Sequence, residues 1–281
     1  MGDEHWRRIP TELEREILQH IVDEDEGDYS RWLALINCAL VCKAWTGHVR
    51  SHLYYAIDMN TWRGSLQFKR LHEHAHLRPF LREFKWPRRV SVYCFNASDA
   101  DIIKNLAPTV TKLIFRGADY QSLTPPLREA ISTFVNIKEL DMTGSTFKDW
   151  TTVVRVISSF TFLAILAMPR TCIVPFQDDG PEISYPPPSR LVRIKLASGC
   201  EAETVGWIRK GSQIPNIQTV EAESGINSNV LAGLLRSLGG DLRHLVIHID
   251  SCRAFFNGAR VVNLILIENY SWREYLRSIC I

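Results

Sequence analysis

A single pattern recurs through most of this chain: an apolar residue, two others, a second apolar residue, one other, and a third apolar residue. Seven instances occur: Leu81-Phe84-Trp86, Val110-Leu113-Phe115, Ile137-Leu140-Met142, Phe162-Ile165-Ala167, Leu191-Ile194-Leu196, Ile217-Val220-Ala222 and Leu242-Leu245-Ile247. Their middle positions lie 29, 27, 25, 29, 26 and 25 residues apart. The second and third apolar positions are two residues apart, so they point to one face of a short strand. One short strand cannot bury that face within itself, so each repeat must bury it against the next. Between the strands lie helix-like returns: DADIIKNLA (99–107), PPLREAISTF (125–134), DWTTVVRVISSF (149–160), ETVGWIRKG (203–211) and SNVLAGLLRSL (228–238). Four of them begin near a Ser, Thr or Asp able to cap a helix start. Strand then helix, repeated, predicts an α/β architecture with a parallel sheet.

The L-x-x-L-x-L core at this period resembles a leucine-rich repeat, here degenerate and without the Asn ladder of the strict consensus. The resemblance implies a solenoid with parallel strands on the concave side and helices on the convex side. Residues that alternate with the buried strand positions are then the candidate target-binding surface: Glu83, Lys85, Lys112, Arg116, Glu139, Asp141, Arg193, Lys195, Glu221, His244 and His248. Their mixed signs predict a protein ligand rather than nucleic acid. Six prolines between Pro169 and Pro188 exclude a helix from one return. That stretch reads as an irregular convex loop, with a polyproline recognition segment as the alternative. The final stretch, residues 251–281, is less regular and stays apolar where the last unit of an array needs a polar cap.

The first sixty residues follow a different logic. In IPTELEREILQHIV (9–22), Thr11 and Glu14 fit a capping box, and Leu13, Ile17, Leu18, Ile21 and Val22 make a broad apolar helix face. DEDEGDYS (23–30) reads as a solvated acidic loop. From Trp32 to Trp45 the chain runs WLALINCALVCKAW, with only Asn37 and Lys43 not apolar. A helix like this has no polar face and must be covered on more than one side. Its fourteen residues fall short of the roughly 20 that a bilayer span needs. One other helix and the amphipathic HVRSHLYYAI offer limited cover, so the composition of this region calls for a partner.

Ile9-Pro10, Glu12-Leu13, Ile17-Leu18, then Cys38-x2-Val41-Cys42-x2-Trp45 and Leu53 resemble the F-box motif over residues 9–57. Ile9 replaces the commoner Leu before the proline, and the first loop is longer and more acidic than in a compact F-box. The resemblance implies a helical module whose partner is the Skp-type adaptor of cullin–RING ubiquitin ligases. Pro10, Leu13, Ile17, Leu18, Leu40, Val41 and Trp45 are then adaptor-contact or module-core positions, two roles that the sequence does not separate. The alternative is a generic buried helical hairpin.

Composition narrows the function further. Among 281 residues, 33 Lys and Arg against 31 Asp and Glu leave a net charge of +2, too balanced for a polybasic nucleic-acid or membrane binder. Seven scattered cysteines, an odd number, read as reduced thiols. The polar N-terminus, MGDEHWRRIPTELE, carries no secretory pattern, and the expected location is cytoplasmic or nuclear. Cys38, Cys42, His48 and His52 form C-x3-C-x5-H-x3-H, but about twelve residues separate the two pairs in a zinc finger, so no metal is expected. His72, His74 and His76 alternate in a polar stretch that reads as a solvated linker helix, and KWPRR (85–89) reads as a solvated basic patch. No phosphate-binding loop, nucleophile elbow or zinc-protease motif occurs. No catalytic residue and no cofactor are expected.

The predicted organisation is an F-box domain over 1–57, a helical linker over 58–79, and about seven degenerate leucine-rich repeats over 80–281. The implied role is the substrate-recognition subunit of an SCF-type E3 ubiquitin ligase. The module docks on the Skp-type adaptor, and through it a cullin–RING ligase, while the solenoid holds a protein substrate. The alternative is a non-catalytic repeat scaffold whose F-box serves outside ubiquitin ligation.

Overall fold

The structure, a computed structural model, describes residues 10–23, 28–41, 43–88, 97–168, 171–172, 185–211, 214–223, 225–249 and 262–267. The chain is mixed α/β with a largely parallel sheet, and it divides into two compact units, Met1–Phe84 and Lys85–Ile281.

The first unit opens with three helices, α1 (Thr11–Asp23), α2 (Asp28–Val41) and α3 (Lys43–Leu53). The apolar run Trp32–Trp45 is therefore not one helix. It is shared between α2 and α3, and packing these two against each other covers sides that a lone helix would leave bare. Leu18 of α1, Leu35 of α2, and Trp45 and Val49 of α3 form the core, with Ile21, Cys38, Ala39 and Leu53 packed around it. The expected capping box is displaced. Thr11 is already the first helical residue, and the carbonyl of Pro10 accepts the first helical bond, from Glu14 N–H at 3.1 Å.

The segment expected as a linker folds within this unit. After β1 (Ala56–Asp58) comes α4 (Trp62–Glu73), whose N-cap Thr61 accepts from Gly64 N–H at 3.0 Å. Gln67 of α4 donates to the Leu53 carbonyl at 2.5 Å, and the Arg63 guanidinium lies 5.3 Å over the Trp32 ring. Gly64 meets β1 so closely that a Cβ there would sit 1.9 Å from the Asp58 carbonyl oxygen. Any other residue would push strand and helix apart. β2 (Glu83–Lys85) lies beside β1.

In the second unit, helices and strands alternate as the period predicts. They are α5 (Ala97–Leu106), β3 (Lys112–Ile114), α6 (Pro125–Ser132), β4 (Glu139–Asp141), β5 (Thr146–Phe147), α7 (Trp150–Ser158), β6 (Ile165–Ala167), β7 (Thr171–Cys172), β8 (Arg193–Leu196), α8 (Glu201–Lys210), β9 (Thr219–Ala222), α9 (Ser228–Leu238), β10 (His244–Ile249) and β11 (Val262–Ile267). Six strands pair in parallel in the order β3-β4-β6-β8-β9-β10, and β11 closes the edge antiparallel to β10. The short β5 and β7 pair separately, also in parallel. Asp149 caps α7 by accepting from Thr152 N–H at 2.6 Å, and Asn227 caps α9 at 2.9 Å.

Six of the seven apolar triplets sit as the sequence pattern predicts, each with its first and middle residues buried. The fourth does not. Leu163, Leu166 and Met168 are buried, while Phe162 is exposed and Ile165 and Ala167 are only half-buried. The register is one residue later than Phe162-Ile165-Ala167. Pairing fixes the shift, because Leu166 lies between Leu140 of β4 and Ile194 of β8, which are both fully buried.

Gly117 and Gly144, each two residues past the buried last residue of its triplet (Phe115 and Met142), take φ of +71° and +70°. These turns need a left-handed residue, and the Gly117 N–H reaches the Thr143 carbonyl of the next turn at 3.0 Å. The proline-rich return is irregular where it is described. Its end, Tyr185–Pro188, is held by Ser158 donating to the Pro186 carbonyl at 2.8 Å and Trp207 Nε1 donating to the Tyr185 carbonyl at 2.7 Å. Residues 173–184, most of the 251–281 tail, and Cys42 lie outside the described residues.

Candidate functional site

Two surfaces, one in each unit, carry the side chains singled out by the sequence. On the first, the seven positions separate by burial. Leu18 and Trp45 belong to the core. Leu40 is 79% exposed, and Leu13, Ile17 and Pro10 are exposed as well. The side chain of Val41 lies outside the described residues. Leu13 and Ile17 are one helical turn apart on α1, and on α2 Leu33, which the pattern did not single out, is exposed as Leu40 is. The three helices thus complete a small core and still hold large aliphatic side chains in water. A surface of that kind suits docking of another chain.

The second surface is the face of the parallel sheet opposite the buried Leu113, Leu140, Leu166, Ile194 and Val220. Alternation along each strand brings Lys112, Glu139, Arg193, Lys195 and Glu221 to it. Arg116 joins them from the turn after β3. Ion pairs link the strands: Lys112 to Glu139 at 2.9 Å, Arg116 to Asp141 at 2.6 Å, Arg193 to Glu221, and Lys195 to Glu223 at 3.3 Å. Each cation comes from one repeat and each carboxylate from the next. Glu223 was not among the expected residues, yet it is the next outward position after Glu221 and follows from the same alternation. The register shift also adds Ile165 and Ala167, which form an uncharged strip on β6 between Glu139 and Asp141 on one side and Arg193 and Lys195 on the other.

Asp141 departs from expectation in one respect: it is buried rather than displayed. Burial alone would raise its carboxyl pKa. The hydrogen bonds from Thr143, including its N–H at 2.9 Å, together with Arg116 outweigh this and hold the group below the usual carboxylate range. A depression of about 220 Å³ opens on this face around β4, β6 and β8, with the cations Arg116, Arg193 and Lys195 and the carboxylates Glu139, Asp141 and Glu221 among its walls. His244 and His248 lie on β10, the first exposed and the second half-buried. Glu83 and Lys85 are half-buried on β2.

Burial pushes the Cys38 thiol up, the opposite of an activated nucleophile. His72, His74 and His76 are exposed, and the rings of His74 and His76 lie 5.8 Å apart. Among the described residues no group of three or more His, Cys, Asp or Glu is placed to hold a metal ion. Nor is any helix among them long and apolar enough to cross a membrane. No protein-family model matches the chain, and no curated protein matches it significantly in sequence.

Proposed function

We propose that this protein is the substrate-recognition subunit of an SCF-type ubiquitin ligase. Its F-box-like helices α1–α3 dock on a Skp-type adaptor, and its leucine-rich-repeat-like sheet holds a target protein. The observation that carries the reading is the excess of apolar surface on α1 and α2. Leu13, Ile17, Leu33 and Leu40 stay exposed although Leu18, Leu35, Trp45 and Val49 already fill the core. The F-box-like spacing of Pro10, Leu13, Ile17, Leu18 and Trp45 supports the same partner. A receptor of this kind performs no covalent step. It raises the local concentration of a target beside the conjugating machinery, which turns a bimolecular encounter into a local one.

Co-expression of the full chain with a Skp-type adaptor tests the assignment. The complex should form, and Ile17→Asp with Leu40→Asp should abolish it without unfolding the chain. A stable, monodisperse chain indifferent to the adaptor would overturn the reading. Recovery of a cullin with the adaptor separates the ligase from a scaffold that uses the same docking outside ubiquitin transfer.

A further inference from the structure

The ion pairs of the sheet face are balanced in charge but not in display. The Arg116 side chain is 59% exposed against 12% for Asp141, Arg193 51% against 14% for Glu221, and Lys195 34% against 13% for Glu223. In the remaining pair the two side chains are equally exposed, Lys112 at 33% and Glu139 at 35%. Three carboxylates are therefore tucked in beneath the cations they hold, so that around the depression Arg116, Arg193 and Lys195 meet solvent more than Asp141 and Glu221 do, and Glu139, paired with Lys112, is the one well-exposed carboxylate of the lining. Arg116 engages Asp141 through Nη2, and Arg193 engages Glu221 through Nε and Nη2. A guanidinium carries five N–H donors, so each keeps donors on its exposed side.

We infer that the depression around Ile165 and Ala167 is an anion-reading subsite for an acidic segment of the target protein: a Glu or Asp side chain flanked by aliphatic residues. This rests on the reading of the sheet face as the target-binding surface. The buried Asp141 and the half-buried Glu221 and Glu223 orient the cations in advance, so the target does not bear the cost of ordering them. The aliphatic strip of β6 accepts the neighbouring apolar side chain, and the guanidinium groups take the carboxylate in charge-assisted hydrogen bonds. The four pairs, Lys112–Glu139 included, bring as many negative as positive charges to the site, so its net charge is near zero. A singly charged carboxylate suits such a site better than the dianion of a phosphate.

An array of immobilised peptides, each alternating Leu with a variable residue, tests this with the full-length chain in solution. The variable residue is Glu, Gln, Lys or phosphoserine. Glu peptides should bind at least about tenfold more tightly than Gln peptides, with affinity falling as salt rises. Arg193→Gln with Glu221→Gln, and Arg116→Gln with Asp141→Asn, remove a whole pair without stranding a buried charge. Both should keep the melting temperature near that of the parent and lose the Glu preference. Equal binding of Glu and Gln peptides, binding of Lys peptides, or an unchanged preference in both double variants would overturn the subsite. Capture of phosphoserine peptides alone would overturn it in favour of a phosphate reader. Adaptor binding is unaffected by any of these outcomes, so the subsite can fail while the receptor reading stands, and the reverse.

Discussion

The two units solve opposite surface problems. The α1–α3 unit has too much apolar surface for its size: Leu18, Leu35, Trp45 and Val49 close the core while Leu13, Ile17, Leu33 and Leu40 remain in water. The sheet unit hides its apolar strand residues between neighbouring repeats and displays paired charges. A small helical unit has too little interior for its aliphatic content, whereas each added repeat supplies a new interior for the one before it. The first unit is suited to a partner that removes apolar area from water. The second is suited to one that matches charge, and these surfaces should respond differently to mutation, salt and pH.

The largest expected effect marks the core side of that contrast. Trp45→Ala should cost about 3–5 kcal/mol of stability and show as early loss of α1–α3 helicity in thermal melts followed by circular dichroism. Gly64→Ala should be nearly as damaging, since the new Cβ meets the Asp58 carbonyl. Its melting temperature should fall by several degrees or more, whereas Gly47→Ala, with open space around it, should not lower it. In the sheet, Leu166→Ala should cost about 2–5 kcal/mol in urea unfolding, and Ile165→Ala clearly less, because only Leu166 is fully buried. The reverse order would restore the earlier register.

Docking and charge variants sharpen the same comparison from the surface side. Leu40→Asp should leave stability within about 0.5 kcal/mol while weakening the proposed binding to a Skp-type adaptor at least about tenfold, read by calorimetric titration. Lys112→Gln should change stability by no more than about 1 kcal/mol, the usual range for an exposed pair.

Acid should then separate Asp141 from the rest. Its folded pKa lies below the ordinary 3.8, so its contribution is full above that value and is lost as pH falls through the depressed one. The melting temperature of the parent should therefore drop more steeply below about pH 4 than that of Asp141→Asn. Parallel curves would mean the carboxylate is not held as described.

Much of the sheet was legible in advance because buried faces on short strands demand alternation, and six triplets offered only one register each. The fourth failed for a physical reason. Phe162, Leu163, Ile165, Leu166, Ala167 and Met168 are all apolar, so two registers one residue apart satisfy the same pattern. The turn glycines Gly117 and Gly144, each four residues after a middle position, were a second periodic signal that the apolar pattern alone overlooks. In the helical unit the apolar positions were readable, but not their division into core and surface, and not the break between α2 and α3. That division depends on which faces three helices turn toward one another. The segment over 58–79 looked like a linker because α4 is largely polar, yet Gly64, Gln67 and Thr61 bind it into the unit.

Local patterning alone carried the alternation of strand and return, the balanced charge and the oily character of residues 32–45. Each is a property of neighbouring residues, and side-chain direction in strands and helices follows from backbone geometry alone. Which aliphatic groups are left in water, which carboxylates lie beneath their cations, and where the depression opens are consequences of assembly. Asp141 meets Arg116 from 25 residues away and Glu221 meets Arg193 from 28. A contact at that separation exists only once each repeat has stacked against the last.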